Sequence, residues 1–471
     1  MHTNSRSITK ILLIIMAVLM LGQILLSSIW FFLNIDVVPS FGDTTEYLEL
    51  SNTLITDEYR TIAYPMLLHY ILRLASILTI PYTYILYVFQ ISLGILSCYF
   101  LTSSLYNLTN LSTNRKTGYC IFVSLFLSNI PVVLFLHCSV LTDSLALSML
   151  IFNITSLANI SRRKNLKLNI MIFVFSFLLE ILLRADRVYN MTAMIIIFIL
   201  ICSFKASRKN MYTLLICCIL GIVLSLTAFT GINKKYQSPG MNGRIKTTLG
   251  FVLLDRIVWP HMEDNYDYFS DDVKQIISKD DAKTFDEHNN NTMYITAPLI
   301  INQVGVQKAE HIYKEMAITV LKHDSLSVIG YTLRDFCNFF VLPISTFVSY
   351  TETLFAETSH TNFEWNLTCV SNVYPKYSQF IYMYHALFSL LLFVPFTCIL
   401  YIKHRKSFNN NYWNYIFPLF LSLLIVSLWF ALGDGAPANN RYVLHGYIFY
   451  NIIAILLLIY DYKRKQVSTN E

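Results

Sequence analysis

With 471 residues, 55% of them hydrophobic and only 14% charged, and a mean hydropathy of +0.50, the chain is far too apolar for a water-soluble domain. Its net charge of +6 sits largely in short basic clusters between apolar segments, the pattern that orients a protein in a bilayer, so it gives no ground for a nucleic-acid partner. Composition therefore predicts an all-α polytopic membrane protein.

Arg6 and Lys10 precede an apolar segment from Ile11 to Leu33, long enough to span about 30 Å of hydrocarbon. No small-x-small cleavage pattern follows, so the segment reads as a retained first span. The loop at 34–80 then interrupts the apolar text with Asp43, Glu46, Glu49, Asp57, Glu58 and Arg60. In a helix starting near Asp43, residues Asp43, Glu46, Tyr47 and Leu50 fall at i, i+3, i+4 and i+7 and share one face. That face suits a carboxylate base. The same spacing also fits a capping box, with Asp43 as N-cap and Glu46 three residues on. Met66 to Leu78 is apolar but short, which predicts an interfacial helix.

Further spans are expected over 82–105, 117–136, 140–160, 168–183, 189–204 and 211–232, joined on one side by clusters such as Arg162, Arg163, Lys164 and Lys167. This makes 1–232 an N-terminal membrane part with seven spans. Residues 233–377 are water-compatible and read as a small extracytoplasmic domain. Within it Ile312, Met316 and Val320 form a helical apolar stripe, and Leu326 to Val348 reads as an amphipathic helix or hairpin on the outer membrane surface. Residues 378–471 supply three more spans, for a total of about ten with both ends cytoplasmic.

By this topology Asp43, Glu46, Arg60, Asp143, Arg184, Asp186, Arg187 and Arg441 gather at span ends on the outer side. Each arginine alone fits a snorkelling anchor. Together, carboxylates and guanidinium groups suit a site that neutralises a phosphate-bearing lipid and removes a proton from an acceptor hydroxyl. The nine cysteines lie mainly in apolar segments without CxxC spacing and read as packing residues.

Gly42-Asp43-x-x-x-Tyr47-Leu48, Tyr59-Arg60 and Ala63-Tyr64-Pro65-Met66-Leu67-Leu68 resemble the first external loop of the GT-C membrane glycosyltransferases. The similarity is strongest to glycosyltransferase family 39, which includes protein mannosyltransferases and lipid A aminoarabinose transferases. Leu141-Thr142-Asp143-Ser144-Leu145 resembles the family's second acidic loop, where glutamate is common. Leu183-Arg184-Ala185-Asp186 resembles its Arg-Pro step with alanine in place of proline, and Asn440-Arg441-Tyr442 its Arg-Tyr entry to a late span.

The resemblance implies a GT-C-like helix bundle in a bacterial cytoplasmic (inner) membrane, with interfacial helices in the first external loop and the site facing outward. It implies transfer of a sugar from a polyprenyl-phosphate-linked donor to a lipid, glycan or protein acceptor. Asp43 would be the general base, supported or replaced by Glu46, and Asp143 would orient the acceptor or a metal. Arg60, Tyr64, Arg184, Asp186, Arg187, Arg441 and Tyr442 would bind the lipid phosphate or sugar. A divalent metal serves some relatives and not others; the sequence has neither an HExxH nor a DxD run. Alternative readings are an O-antigen polymerase or ligase, expected to carry a large arginine-rich loop, and a transporter, expected to carry polar or broken spans near the midplane.

Overall fold

The computed structural model describes residues 2–39, 42–56, 60–107, 116–184, 195–196, 208–236, 250, 253–287, 297–338, 376–389, 395 and 399. These are predominantly helical, with no strand among them, as an all-α membrane protein requires. Among the described residues five helices are long and apolar enough to cross a membrane: Ile11–Asn34, Tyr82–Tyr106, Asp143–Ser161, Leu166–Leu183 and Leu215–Tyr236. The expected spans over 412–432 and 442–460, all but residues 195–196 of that over 189–204, and residues 390–394, 396–398 and 400–402 of that over 378–402 lie outside the described residues. The chain packs as two compact units, one formed by Met1–Ile245, Asn366–Ile425 and Arg441–Glu471, the other by Lys246–Trp365 and Val426–Asn440.

In the first unit, helix α1 (His2–Asn34) shows why its sequence is a membrane helix. Ile11, Ile14, Val18, Leu21, Leu25, Ile29 and Phe32 recur every three or four residues and form an exposed apolar face. The buried face carries Met16, Met20, Gln23, Ser27, Trp30 and Asn34. Trp30 Nε1 donates to Ser378 Oγ at 2.8 Å, and Tyr384 Oη to the Leu19 carbonyl at 2.9 Å, so helix Ser378–Leu387 returns against α1.

The loop after α1 folds into α2 (Gly42–Thr53) and α3 (Ala63–Leu78), and α4 (Tyr82–Tyr106) follows. At 16 residues, α3 reaches about 24 Å at 1.5 Å per residue, short of the bilayer core. Tyr64, Leu68, Ile71 and Ala75 bury one side of it, while Tyr70, Leu74 and Ile77 stand exposed on the other.

The span expected over 117–136 is two helices, α5 (Lys116–Ser128) and α6 (Pro131–His137). Pro131 has no amide hydrogen and drives Ile130 to an extended conformation (φ −60°, ψ 128°), which ends α5 despite unbroken hydropathy. The freed Asn129 carbonyl accepts from Ser27 Oγ at 2.8 Å and Gln23 Nε2 at 3.3 Å.

Helix α7 (Asp143–Ser161) is the hub, buried along almost its whole length and packed against α4 and α8 (Leu166–Leu183) and against α9 (Arg208–Tyr236). A tight turn with Arg163 and Asn165 in the left-handed region joins α7 to α8. Asn159 Nδ2 donates to Asn169 Oδ1 at 3.1 Å, and Asn159 Oδ1 accepts from Ser104 Oγ at 2.6 Å, which staples this basic end of the hairpin to α4. The antiparallel hairpin therefore returns the end of α8 to the start of α7.

The second unit has its own core. Leu254, Val258, Met262 and Tyr266 recur every four residues along successive helical turns. They pack with Ile312, Tyr313, Met316 and Val320 of α10 (Val306–His323), the stripe legible in the sequence. Helix α11 (Ser325–Asn338) keeps Leu326, Ile329 and Leu333 exposed at i, i+3 and i+7, an amphipathic pattern; positions 339–348 lie outside the described residues.

Candidate functional site

Helix α2 is polar enough to form only where tertiary contacts hold it. It begins at Gly42, so Asp43 lies inside the first turn, where the helix dipole favours a negative charge, and not at the N-cap of the expected capping box. Its carboxylate is turned to Arg60. Arg60 Nη2 donates to Asp43 Oδ1 at 2.6 Å and to Glu46 Oε2 at 2.7 Å, and Nε donates to the same Glu46 oxygen at 2.8 Å. One guanidinium thus closes both carboxylates of the face, with side-chain exposures of 19% for Arg60, 27% for Asp43 and 52% for Glu46.

Beneath this trio lies Tyr47, one residue beyond Glu46. Arg60 stands over its ring at 5.3 Å, a cation–π contact, and Tyr64 meets the ring edge-on at 5.0 Å. Burial pushes the Tyr47 hydroxyl up to about 12, with Arg60 acting against the shift and Asp43 adding to it. Burial also raises Tyr64 well above its ordinary value, with Tyr47, Tyr87 and Asp143 adding to the effect. Both tyrosines are therefore neutral hydroxyls near pH 7. For Arg60, burial opposes the charge, but Tyr47, Asp43 and Glu46 outweigh it and hold the guanidinium protonated.

A second pair comes from the α7–α8 hairpin. Arg184, at the C-cap of α8, donates through Nη1 to Asp143 Oδ1 at 2.8 Å. Asp143 opens α7 and its side chain is 3% exposed. Each charge sits at the helix end whose dipole favours it.

Three threonines bring the two pairs together. Thr142 Oγ1 lies 3.4 Å from Tyr47 Oη. Thr44 Oγ1 donates to the Val140 carbonyl at 3.3 Å, and Thr61 Oγ1 to the Leu183 carbonyl at 2.9 Å. Thus the residues flanking Arg60 and Arg184 are joined directly, and α2 is seated on the entrance to α7. The loop is anchored further by His69 Nδ1 against the Ser51 carbonyl at 2.8 Å and by Thr56 N donating to the Tyr236 carbonyl at 2.8 Å.

Of the residues singled out in the sequence, Asp43, Glu46, Arg60, Tyr64, Asp143 and Arg184 gather in this corner. Tyr64 is wholly buried and supports Tyr47 from below, so it lines no open surface here. Asp186, Arg187, Arg441 and Tyr442 lie outside the described residues. Thr44 and Thr61 carried no sequence signal, since hydroxyl residues beside helix ends are common, and Thr142 entered only as a neighbour of Asp143 in its motif.

The described residues do not fit a divalent metal. Arg60 occupies the space between Asp43 and Glu46 where a cation would sit, Arg184 holds Asp143, and no group of three or more His, Cys, Asp or Glu side chains converges among the described residues. No protein-family model, curated protein or solved structure matches this chain.

Proposed function

We propose that the protein is a membrane glycosyltransferase that moves a sugar from a polyprenyl-phosphate donor to an acceptor hydroxyl, using Asp43 as general base. The observation that supports this reading is the meeting of two carboxylate–guanidinium pairs, Asp43/Glu46–Arg60 and Asp143–Arg184, at the end of the helices opposite the basic 162–167 turn. Short basic loops stay on the cytoplasmic side, so this end is assigned outward.

In the reaction the acceptor oxygen attacks the anomeric carbon and its proton passes to the Asp43 carboxylate. The bond from that carbon to the phosphate oxygen breaks, the electron pair leaves with the phosphate, and the anomeric configuration inverts. Guanidinium groups from Arg60 and, outside the described residues, Arg187 and Arg441 are assigned to the phosphate. Asp143, held by Arg184, orients the acceptor.

A transporter would find its expected broken span between α5 and α6. The carbonyl released there is already taken by Gln23 and Ser27, which favours a structural role for the break. The enzyme reading is tested by incubating purified protein in proteoliposomes with radiolabelled polyprenyl-phosphate sugars and acceptor lipids or glycans. Transfer with inversion supports it, and absence of transfer from every donor overturns it.

A further inference from the structure

We propose that Arg60 is an exchangeable counterion. On this account, which rests on the donor reading above, the phosphate of the arriving lipid takes the guanidinium from Asp43 and Glu46 and thereby converts Asp43 from a neutralised group into a working base. The two ion pairs differ in the way such an exchange requires. Arg184 caps α8, its backbone N–H donating to the Glu180 carbonyl, and its partner Asp143 is buried away from an arriving phosphate. Arg60 lies on the connection between α2 and α3, outside any helix, and reaches partners of intermediate and high exposure.

A carboxylate with an arginine on it is a poor base, because an opposite charge at this distance lowers its pKa by about 1–3 units. An acceptor hydroxyl is best deprotonated when that charge has moved away. Phosphate competes well for the arginine, since a guanidinium fork matches its oxygens. Among the described groups, Arg60 from the connection pairs with Asp43 and with Glu46 on the same helix, and Tyr47 beneath them feels both Arg60 and Asp43. Tyr47 and Tyr64 stay neutral below pH 10, so the exchange is between Arg60, the Asp43 and Glu46 carboxylates and the phosphate.

Two consequences separate this from a purely structural ion pair. Binding of a phosphate ester is accompanied by proton uptake in mildly acidic solution, because the Asp43 carboxylate binds a proton more readily once the guanidinium has left it. Removing a carboxylate strengthens binding, because the phosphate no longer competes with it. The probe is a short polyprenyl methyl phosphodiester, whose single ionisation lies well below the working pH; a monoester titrates near pH 6 and would release protons of its own.

Full-length protein in nanodiscs is titrated calorimetrically at pH 5 in two buffers of different ionisation heat. The expected result is proton uptake by the wild type, loss of that uptake with Asp43→Asn, and affinity in Glu46→Gln and Asp43→Asn tighter by about tenfold. Arg60→Gln is expected to bind about tenfold more weakly, without uptake. Because Glu46 is half exposed, its variant keeps the test open if the others fail to fold. Binding with no proton uptake, or binding weakened by Glu46→Gln, overturns the exchange and leaves the donor reading intact. No binding of the phosphodiester by the wild type overturns both.

Discussion

Tyr47 Oη and Thr142 Oγ1 lie 3.4 Å apart, and through this contact the first loop helix rests on the entrance to α7. The ring does more than the hydroxyl. It carries Arg60 on one side and meets Tyr64 on another, so it supports the guanidinium that holds Asp43 and Glu46. Tyr47→Phe should cost about 0.5–1.5 kcal/mol, the worth of one neutral hydrogen bond. Tyr47→Ala should cost about 3–5 kcal/mol through the cavity it leaves, read as loss of thermal stability in detergent. Equal effects of the two variants would contradict the ring's role.

The same residue gives a pH prediction. Burial raises Tyr47 from 10.0 to about 12, so the folded state keeps a proton that the unfolded state releases. The stability this contributes is fully present below pH 10 and is lost as pH rises through 12. Between pH 9 and pH 11, Tyr47→Phe should lose less stability than the wild type, by about 1 kcal/mol, on the scale of 1.36 kcal/mol per pH unit. Parallel alkaline melting curves for both proteins would count against it.

Removing Arg184 leaves Asp143 buried without the charge that Nη1 brings to it. Arg184→Gln should cost about 3–5 kcal/mol. The double variant Asp143→Asn/Arg184→Gln should recover part of that loss, because no buried charge then remains. A double-mutant cycle on thermal unfolding measures the coupling, and strict additivity would show that the pair is not a unit.

Gly94 of α4 lies against His137, whose Nδ1 is within 2.7 Å of Ser144 Oγ and whose carbonyl accepts from Gln90 Nε2 at 2.7 Å. A Cβ at position 94 would collide with the imidazole Nε2, and a buried ring held at Nδ1 by Ser144 has little room to give. Gly94→Ala should destabilise by about 1–3 kcal/mol. Gly94→Ala combined with His137→Ser should be less harmed than the single variant, and a double variant no better than the single would exclude this clash as the cause.

The first-loop cluster was legible because Asp43, Glu46 and Tyr47 obey helical spacing, and Arg60 is the one basic residue of a loop otherwise charged only by carboxylates up to His69. The partner of Asp143 was not readable from spacing, since Arg184 lies 41 residues on and meets it only through the α7–α8 hairpin. Hydropathy read straight through Asn129, Ile130 and Pro131, because a break changes backbone geometry without changing apolarity. Its signal was Pro131 itself, and the polar residues that cover the break, Gln23 and Ser27, are hidden in an apolar helix.

The central claim is that the Asp43 carboxylate removes the acceptor's proton. Its most direct measurement is the turnover of a radiolabelled polyprenyl-phosphate sugar by Asp43→Asn protein, with binding of the methyl phosphodiester recorded on the same sample. Loss of a general base predicts turnover reduced by about 10²–10⁴-fold with phosphodiester binding retained or tightened. Turnover equal to that of the wild type would contradict the account.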